Sequence, residues 1–192
     1  MNLSHITIFV VILAQAGCIG RSDKLARAAL DGDMPAVVAL IQGGANPNAA
    51  DRFGHLPLGS ASSQGYSNIV AYLIRQGADV NAVDEDGMTA LLYAAGGKHV
   101  GCVKLLCESA ACVEAKDKQG RGPVFHATSR GDHQSEATAL EVLAYVTALS
   151  HDLNIEDAFG QTALDFAILQ DSTNIVEFLS RLGGRRGSRY RQ

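Results

Sequence analysis

The sequence predicts an all-α solenoid of about five helix-turn-helix units, with β-turn tips between the units and a capping unit at each end. One observation is the motif Asp-x-x-Gly, which recurs at residues 51–54, 84–87, 117–120 and 157–160 with spacings of 33, 33 and 40. A second landmark repeats in the same register, at Asn48, Asn81, Glu114 and Asn154. A fixed period of this length is typical of stacked repeats, in which each unit buries its apolar face against its neighbours.

Composition agrees with this fold class and excludes several others. The 192 residues are 47% hydrophobic with a net charge of -4, which excludes a wholly disordered chain. Four cysteines are too few for a disulfide-stapled miniprotein, and 20 glycines without a three-residue period exclude collagen. A low aromatic content of 6% suits small, closely stacked elements. The mildly acidic balance gives no reason to expect nucleic acid as a partner.

The first segment is an apolar run over residues 6–14, which is too short to span a bilayer and matches the hydrophobic region of a secretory signal peptide. Ala14 and Ala16 supply the small residues that a signal peptidase reads, so we expect a signal peptide over residues 1–16 and a short linker over 17–21. A lipoprotein is an alternative, with Cys18 lipidated, although Gln15 stands where a lipobox usually has Leu. A buried N-terminal strand or an uncleaved tether is a further alternative.

Each unit then shows the same internal order. After the Asp-x-x-Gly turn, whose glycine needs a positive φ, Thr89 and Thr162 stand where a hydroxyl can cap a first helix. Pro57 and Pro123 stand one residue further on, where a missing N–H costs nothing. Apolar residues at helical spacing, such as those at 69, 70, 73 and 74, then predict a second helix.

These residues resemble the ankyrin repeat family, whose pattern runs D-x-x-G-x-T-P-L-H-x-A-A, then G-H-x-x-I/V-V-x-x-L-L, then G-A-D-V-N. Residues 51–83 and 84–116 fit the pattern over their whole length. The resemblance divides the chain into units 22–50, 51–83, 84–116, 117–156 and 157–184, followed by a basic flexible tail over 185–192. The family's histidine near the start of the first helix is replaced throughout, by Ala26, Gly59, Leu92, Phe125 and Asp165. Residues 133–139 are an insertion, either a tolerated surface loop or a finger that contacts a partner.

The resemblance implies that turn tips and first helices form a concave face that binds another protein. Carried over position by position, it predicts a set of partner-binding residues: Arg52, Phe53, His55, Glu85, Asp86, Met88, Lys118, Arg121, Arg130, Phe159 and Gln161. The alternative is that the tips are polar because turns are polar, and that the two phenylalanines pack on adjacent turns.

Catalytic and metal-binding motifs are missing from the sequence: it has no G-x-S-x-G, H-E-x-x-H, P-loop or C-x-x-C. We therefore expect no enzyme activity, metal or other cofactor. A remote alternative is an enzyme that uses the irregular 117–156 unit, with His126, Asp132, His133 and Glu136 near one another. Cys102 and Cys107 replace core residues and are expected as free thiols, although an oxidising compartment would permit a Cys107–Cys112 bridge.

Together, the leader segment and the repeat pattern predict a monomeric, periplasmic or secreted protein-binding module. A signal peptide followed by a short array is similar to bacterial periplasmic ankyrin proteins, which implies that the protein supports or protects a partner such as a periplasmic catalase. The alternative is an immunity or inhibitor protein that blocks a toxin or effector. No nucleic acid is expected as a partner, and a membrane only if Cys18 is lipidated.

Overall fold

A computed structural model describes residues 20–129, 136–150 and 152–190. These residues form ten α-helices and one 3-10 helix and contain no strand, which confirms the predicted all-α architecture. The helices are α1 (Arg21–Asp31), α2 (Met34–Gln42), α3 (Pro57–Gln64), α4 (Ser67–Arg75), α5 (Ala90–Gly96), α6 (Val100–Glu108), α7 (Pro123–Thr128), α8 (Glu136–Leu149), α9 (Ala163–Leu169) and α10 (Thr173–Arg181), and the 3-10 helix covers Ser188–Tyr190.

The helices form two layers, because consecutive helices pair and the pairs stack in chain order. The inner layer is α1, α3, α5, α7 and α9, and each of these helices packs on the next one. The outer layer is α2, α4, α6, α8 and α10, in which neighbours make fewer contacts. Small side chains explain the difference, since the contacts between inner helices include alanines with no exposed surface, among them Ala61, Ala94 and Ala127.

The inner helices begin as their sequences predict. Pro57 and Pro123 occupy the first position of α3 and α7. The hydroxyl of Thr89 accepts the backbone N–H of Leu92, 3.3 Å away. Thr162 forms a full capping box with Asp165, which stands at the third position of α9. Each of these features satisfies or removes a donor that the first turn of a helix leaves unpaired.

An aspartate organises every tip. The Oδ1 atoms of Asp51, Asp84, Asp117 and Asp157 each accept the backbone N–H groups two and four residues later. The glycine that closes each motif has the expected positive φ, between 71° and 81°. Backbone hydrogen bonds join the second tip to the third, from Lys118 N to Asp86 O (3.0 Å), and the third to the fourth, from Ala158 N to Gln119 O (2.8 Å). These three tips thus form a continuous edge along the inner layer.

A ladder of asparagines joins the units where the second landmark repeats. The side-chain amide of Asn48 donates to Gly77 O (2.9 Å), and its Oδ1 accepts from Asp79 N (2.7 Å). Asn81 and Asn154 make the same pair of bonds to the unit that follows each of them. Glu114 replaces the asparagine in one unit and accepts a bond from Ser150 Oγ (3.2 Å). A carboxylate lacks the amide donor, so it cannot repeat the full pattern.

The insertion lengthens an outer helix. α8 has 14 residues, whereas α2, α4, α6 and α10 have nine each. Of the inserted residues, 136–139 form the first turn of α8, where Ala139 is buried, and 133–135 lie outside the described residues. Glu136 accepts a hydrogen bond from Asn174 of α10 (2.7 Å). This turn therefore packs against the next outer helix.

Residues 185–190 differ from the flexible tail that the sequence predicts. Gly187 N donates to Asp165 Oδ2 (2.6 Å), and the Arg186 guanidinium is paired with the same buried carboxylate. Ser188 binds Glu156 through its backbone N–H (2.9 Å) and its hydroxyl (2.6 Å). The segment occupies the position of a fifth tip, and the carboxylate at 165 holds it there. At the other end of the array, α1 begins at residue 21, inside the predicted linker.

Candidate partner-binding surface

A groove of about 240 Å³ lies on the concave face, and we call it the Gly59 groove. Its lining comes from three successive inner helices and one tip, with no residue from an outer helix: Leu30, His55, Leu56, Gly59, Ser60, Ser63 and Tyr93. It therefore opens on the face that the outer layer leaves uncovered. Small, largely apolar hollows with a few polar groups are typical of binding sites.

The groove exists because α3 lacks a side chain where its neighbours have one. In the register of the repeat, Gly59 corresponds to Leu92 of α5 and Phe125 of α7. A Cβ atom at residue 59 would lie 3.2 Å from the Tyr93 ring. Tyr93 is held in place by a 2.5 Å hydrogen bond from its hydroxyl to Asp84 Oδ2. Burial, reinforced by this carboxylate, raises the pKa of Tyr93 above its ordinary value.

Exposed apolar side chains concentrate around the same face. Among the described residues, seven large hydrophobic side chains are exposed, and five of them lie on tip segments or in the last turn of inner helices: Leu30, Phe53, Val83, Phe159 and Leu169. The other two, Leu149 and Leu182, lie at the ends of outer helices. Phe53 is 69% exposed and Phe159 is 64% exposed, so neither ring is buried against a neighbouring turn. Exposed aromatic residues are common anchors of protein interfaces.

The predicted charged residues divide into paired and unpaired groups. Arg52 is paired with Asp23 (2.7 Å), and Arg121 with Asp117 (3.0 Å). Backbone and side-chain hydrogen bonds from Arg52 hold the pKa of Asp23 below its ordinary value. By contrast, Glu85 and Asp86 are exposed, and no side-chain hydrogen bond or ion pair to another described residue is found for their carboxylates.

The remaining predicted residues either lie beside a polar partner, or lie half-buried or exposed on the surface, or fall outside the described residues. His55 lies beside Asp51, with Nδ1 3.3 Å from Oδ2, and Gln161 donates to the Tyr190 hydroxyl (2.9 Å). Met88 is half-buried beside Tyr93 in a smaller cleft, and Lys118 is exposed on its tip. Arg130 lies outside the described residues, as do Ala14, Ala16 and Cys18 of the predicted leader.

A polar cluster at the third tip serves the fold. His126 donates from Nε2 to Asp117 Oδ2 (3.0 Å), on the same carboxylate that binds Arg121. Burial lowers the pKa of His126, and the pull of Asp117 only partly opposes this. Burial alone would raise the pKa of Asp117, but the Arg121 N–H, the Arg121 charge and His126 hold it below its ordinary value. His126 is thus committed to a structural bond, while Asp132 and His133 lie outside the described residues.

Lys98 is buried, which the sequence pattern does not indicate. Its ammonium group donates to Gly96 O (2.9 Å) and to Ser129 O at the end of α7, so it joins two units. Burial lowers the pKa of this lysine. Its φ is 57°, a conformation that glycine adopts at the equivalent residues 32 and 65. Lys98 thus links two units while its own backbone has a left-handed conformation that is unfavourable for a lysine.

Leu30, Val83 and Tyr93 are surface residues that sequence reasoning missed. Leu30 and Val83 lie just outside the motif positions that the resemblance supplies, and they read in sequence as ordinary apolar residues. The available signal was Gly59, a glycine inside a helix where it costs helix stability. Its effect on the surface depends on which residues lie opposite it in α1 and α5, and the sequence does not specify that.

The described part of the chain offers neither a cluster of metal ligands nor a membrane-spanning helix. It contains no group of three or more His, Cys, Asp or Glu placed to hold a metal ion. No helix there has the length and apolar character needed to cross a membrane. Cys102, Cys107 and Cys112 are free thiols, and burial raises the pKa of the first two.

Comparison with known proteins agrees with the repeat geometry. Residues 25–117 match the family model for ankyrin repeats in three copies. The chain is also 56% identical over 34 residues to a Rickettsia bellii (strain RML369-C) protein named as an ankyrin repeat protein. That match covers 18% of this chain and 21% of the relative, so the chain spans about a fifth of that protein's length. Together with the stacked helix pairs and the recurring tips, these matches show ankyrin repeats within residues 25–117.

Proposed function

We propose that this chain is an exported module that binds a partner protein on its concave face and performs no chemistry of its own. The observation that supports the proposal is the concentration of exposed apolar side chains on the tips and the ends of the inner helices. Water solvates such side chains poorly, and a partner that covers them would gain binding free energy. The apolar run over residues 6–14, followed by Ala14 and Ala16, supports export.

Crosslinking in the native host, followed by mass spectrometry, tests the binding surface. We expect crosslinks from the tip lysines, such as Lys118, to a partner protein, and we expect them to be lost in a Phe53→Ala, Phe159→Ala double variant. The matched control is Leu149→Ala with Leu182→Ala, which removes two similarly exposed apolar side chains from the outer helices. Crosslinks that persist in the first variant and vanish in the control would place the partner on the outer layer instead.

Fractionation and analysis of the mature N-terminus test export separately. We expect a chain that begins at residue 17 in the periplasmic or secreted fraction. A mature chain that begins at a diacylated Cys18 would indicate a membrane-attached lipoprotein. An intact Met1 in the cytoplasm would contradict export without affecting the binding proposal.

A further inference from the structure

We infer that the Gly59 groove receives one apolar side chain of the partner, and that a lysine or arginine adjacent to it in the partner's sequence contacts Glu85 and Asp86. The inference rests on the proposed function, because it names the chemistry of the segment that the concave face binds. Its first support is shape. The floor of the groove is Gly59 and Ser60, and its walls are Leu30, Leu56 and the Tyr93 ring.

The walls are fixed before a partner arrives. Tyr93 is anchored at its hydroxyl by Asp84, and His99 donates to Ser63 O (2.9 Å), which holds the end of α3 in place. Ser63 also bonds back to Ser60 O (2.8 Å) through its hydroxyl. Tyr93 is therefore held within its own unit, and Ser63 is held by His99 of the next unit. A pocket already in its bound shape binds with less loss of conformational entropy.

The unpaired charges on the 84–87 tip, beside the groove, are acidic. Glu85 extends over Gly54, since a Cβ atom at residue 54 would lie 2.7 Å from Glu85 Cγ, and the adjacent His55 lines the groove. Asp86 follows on the same tip. The arginines near this end of the array are already neutralised, because Arg27 is paired with Asp31 and Arg52 with Asp23.

The nearest unpaired basic side chain on a neighbouring tip is Lys118. Its backbone N–H donates to Asp86 O, but no side-chain bond to that carboxylate is found. The two acidic side chains consequently have free acceptors beside an apolar hollow. A basic residue on a partner would complement them and would speed association and fix register more than it adds affinity. The occupant is thus an apolar residue with a basic neighbour, on an extended or loop segment of a protein.

Selection from a library of random twelve-residue peptides displayed on phage, against the full chain, tests this inference. The affinity of the most enriched synthetic peptide is then measured by fluorescence polarisation. We expect enriched peptides to share an apolar residue next to a lysine or arginine. Ser63→Leu, which fills the groove, should weaken binding about tenfold, as loss of one buried anchor does. Glu85→Lys with Asp86→Lys should weaken it about fivefold, and less at high salt.

Matched controls come from the outer layer. Ser180→Leu makes the same change on exposed α10, and Glu108→Lys reverses a charge at the exposed end of α6, and neither should alter affinity. Peptides that bind Ser63→Leu as well as the natural chain, yet lose binding with Phe53→Ala and Phe159→Ala, would overturn the groove and leave the proposed function standing. Peptides whose affinity is unchanged by Ser63→Leu and by the two phenylalanine substitutions would contradict a binding site on the concave face. Failure to enrich any peptide would overturn the groove inference, while crosslinking still tests the function.

Discussion

Replacing Gly187 by alanine should detach the C-terminal tip from the array. A Cβ atom at residue 187 would lie 2.2 Å from Gly160 O and 2.9 Å from Asp165 Oδ2. The first neighbour is backbone, so the clash cannot be relieved by rotating a side chain. The segment around residue 187 must move outward, and the hydrogen bond from its N–H to Asp165 would be broken.

The magnitude follows from the bonds that this movement breaks. Asp165 has no exposed surface and accepts bonds from Gly187 N and from the Arg186 side chain. A hydrogen bond to a charged group contributes about 1.5–3 kcal/mol. The displaced segment would admit water to the carboxylate and recover part of that loss. We therefore expect Gly187→Ala to destabilise the last unit by about 3 kcal/mol.

Gly183→Ala is the matched control. Gly183 has a φ of 88°, and a Cβ atom there would meet nothing within 4 Å. This substitution therefore isolates the cost of a left-handed alanine, about 1 kcal/mol. Both variants change a glycine to alanine near the same end of the chain, so any difference between them reports the clash and the lost bonds at residue 187.

Hydrogen exchange of the α9 and α10 amides is the most direct assay, because end units of a repeat array can open locally. Urea unfolding of the full chain provides the global value. We expect faster exchange in α9 for Gly187→Ala than for Gly183→Ala, with α1 and α3 unchanged in both. Equal protection in the two variants would show that residues 185–190 are not held by Asp165, and the reasoning would fail.

Three further predictions concern single units. Ala110 has a φ of 65° where the equivalent Gly77 has 85°, so Ala110→Gly should raise the free energy of unfolding by about 0.5–1 kcal/mol and Gly77→Ala should lower it by a similar amount in urea titrations. Thr89→Ala removes the cap of α5 and should cost about 1 kcal/mol, whereas Thr89→Ser should restore most of it. His126 has a lowered pKa in the fold, so the unfolded chain binds its proton first, and stability should fall as pH drops below the ordinary histidine value of 6.5. His126→Gln should flatten this dependence between pH 7.5 and 5.5, and an unchanged slope would contradict the assignment.

The repeating part of the fold could be predicted because its determinants are local. The positive φ of each tip glycine, the capping role of Thr89 and Thr162 and the prolines at helix starts depend on residues within a few positions of one another. The 33-residue register then implied that the pairs stack, since one pair cannot bury its own apolar face. These features are all confirmed in the structure.

The site could be predicted only in outline. Arg52 and Arg121 occupy exposed turn positions in the pattern, yet each is paired with an aspartate, and the partner of Arg52 lies 29 residues away. A position in a repeat motif fixes where a side chain leaves the backbone, but it does not determine which residues of other units that side chain contacts. Phe53 and Phe159 are exposed as interface residues would be, whereas the sequence favoured packing on adjacent turns over an interface role for each ring.

The sequence by itself determined the period, the helix order, the tip conformation and the general character of the chain as a binding scaffold. The tertiary structure decided which charges remain available, where the Gly59 groove lies, and that residues 185–190 pack as a further tip. The physical reason is the separation along the sequence of the residues involved. Backbone conformation and helix capping depend on residues a few positions apart. A groove or an ion pair depends on side chains that stacking brings together from different units. Two glycines illustrate the difference. Gly59 lines a groove only because Tyr93 and Leu30 of other units lie beside it. Gly187 is a point of close backbone contact only because Gly160 O lies next to it.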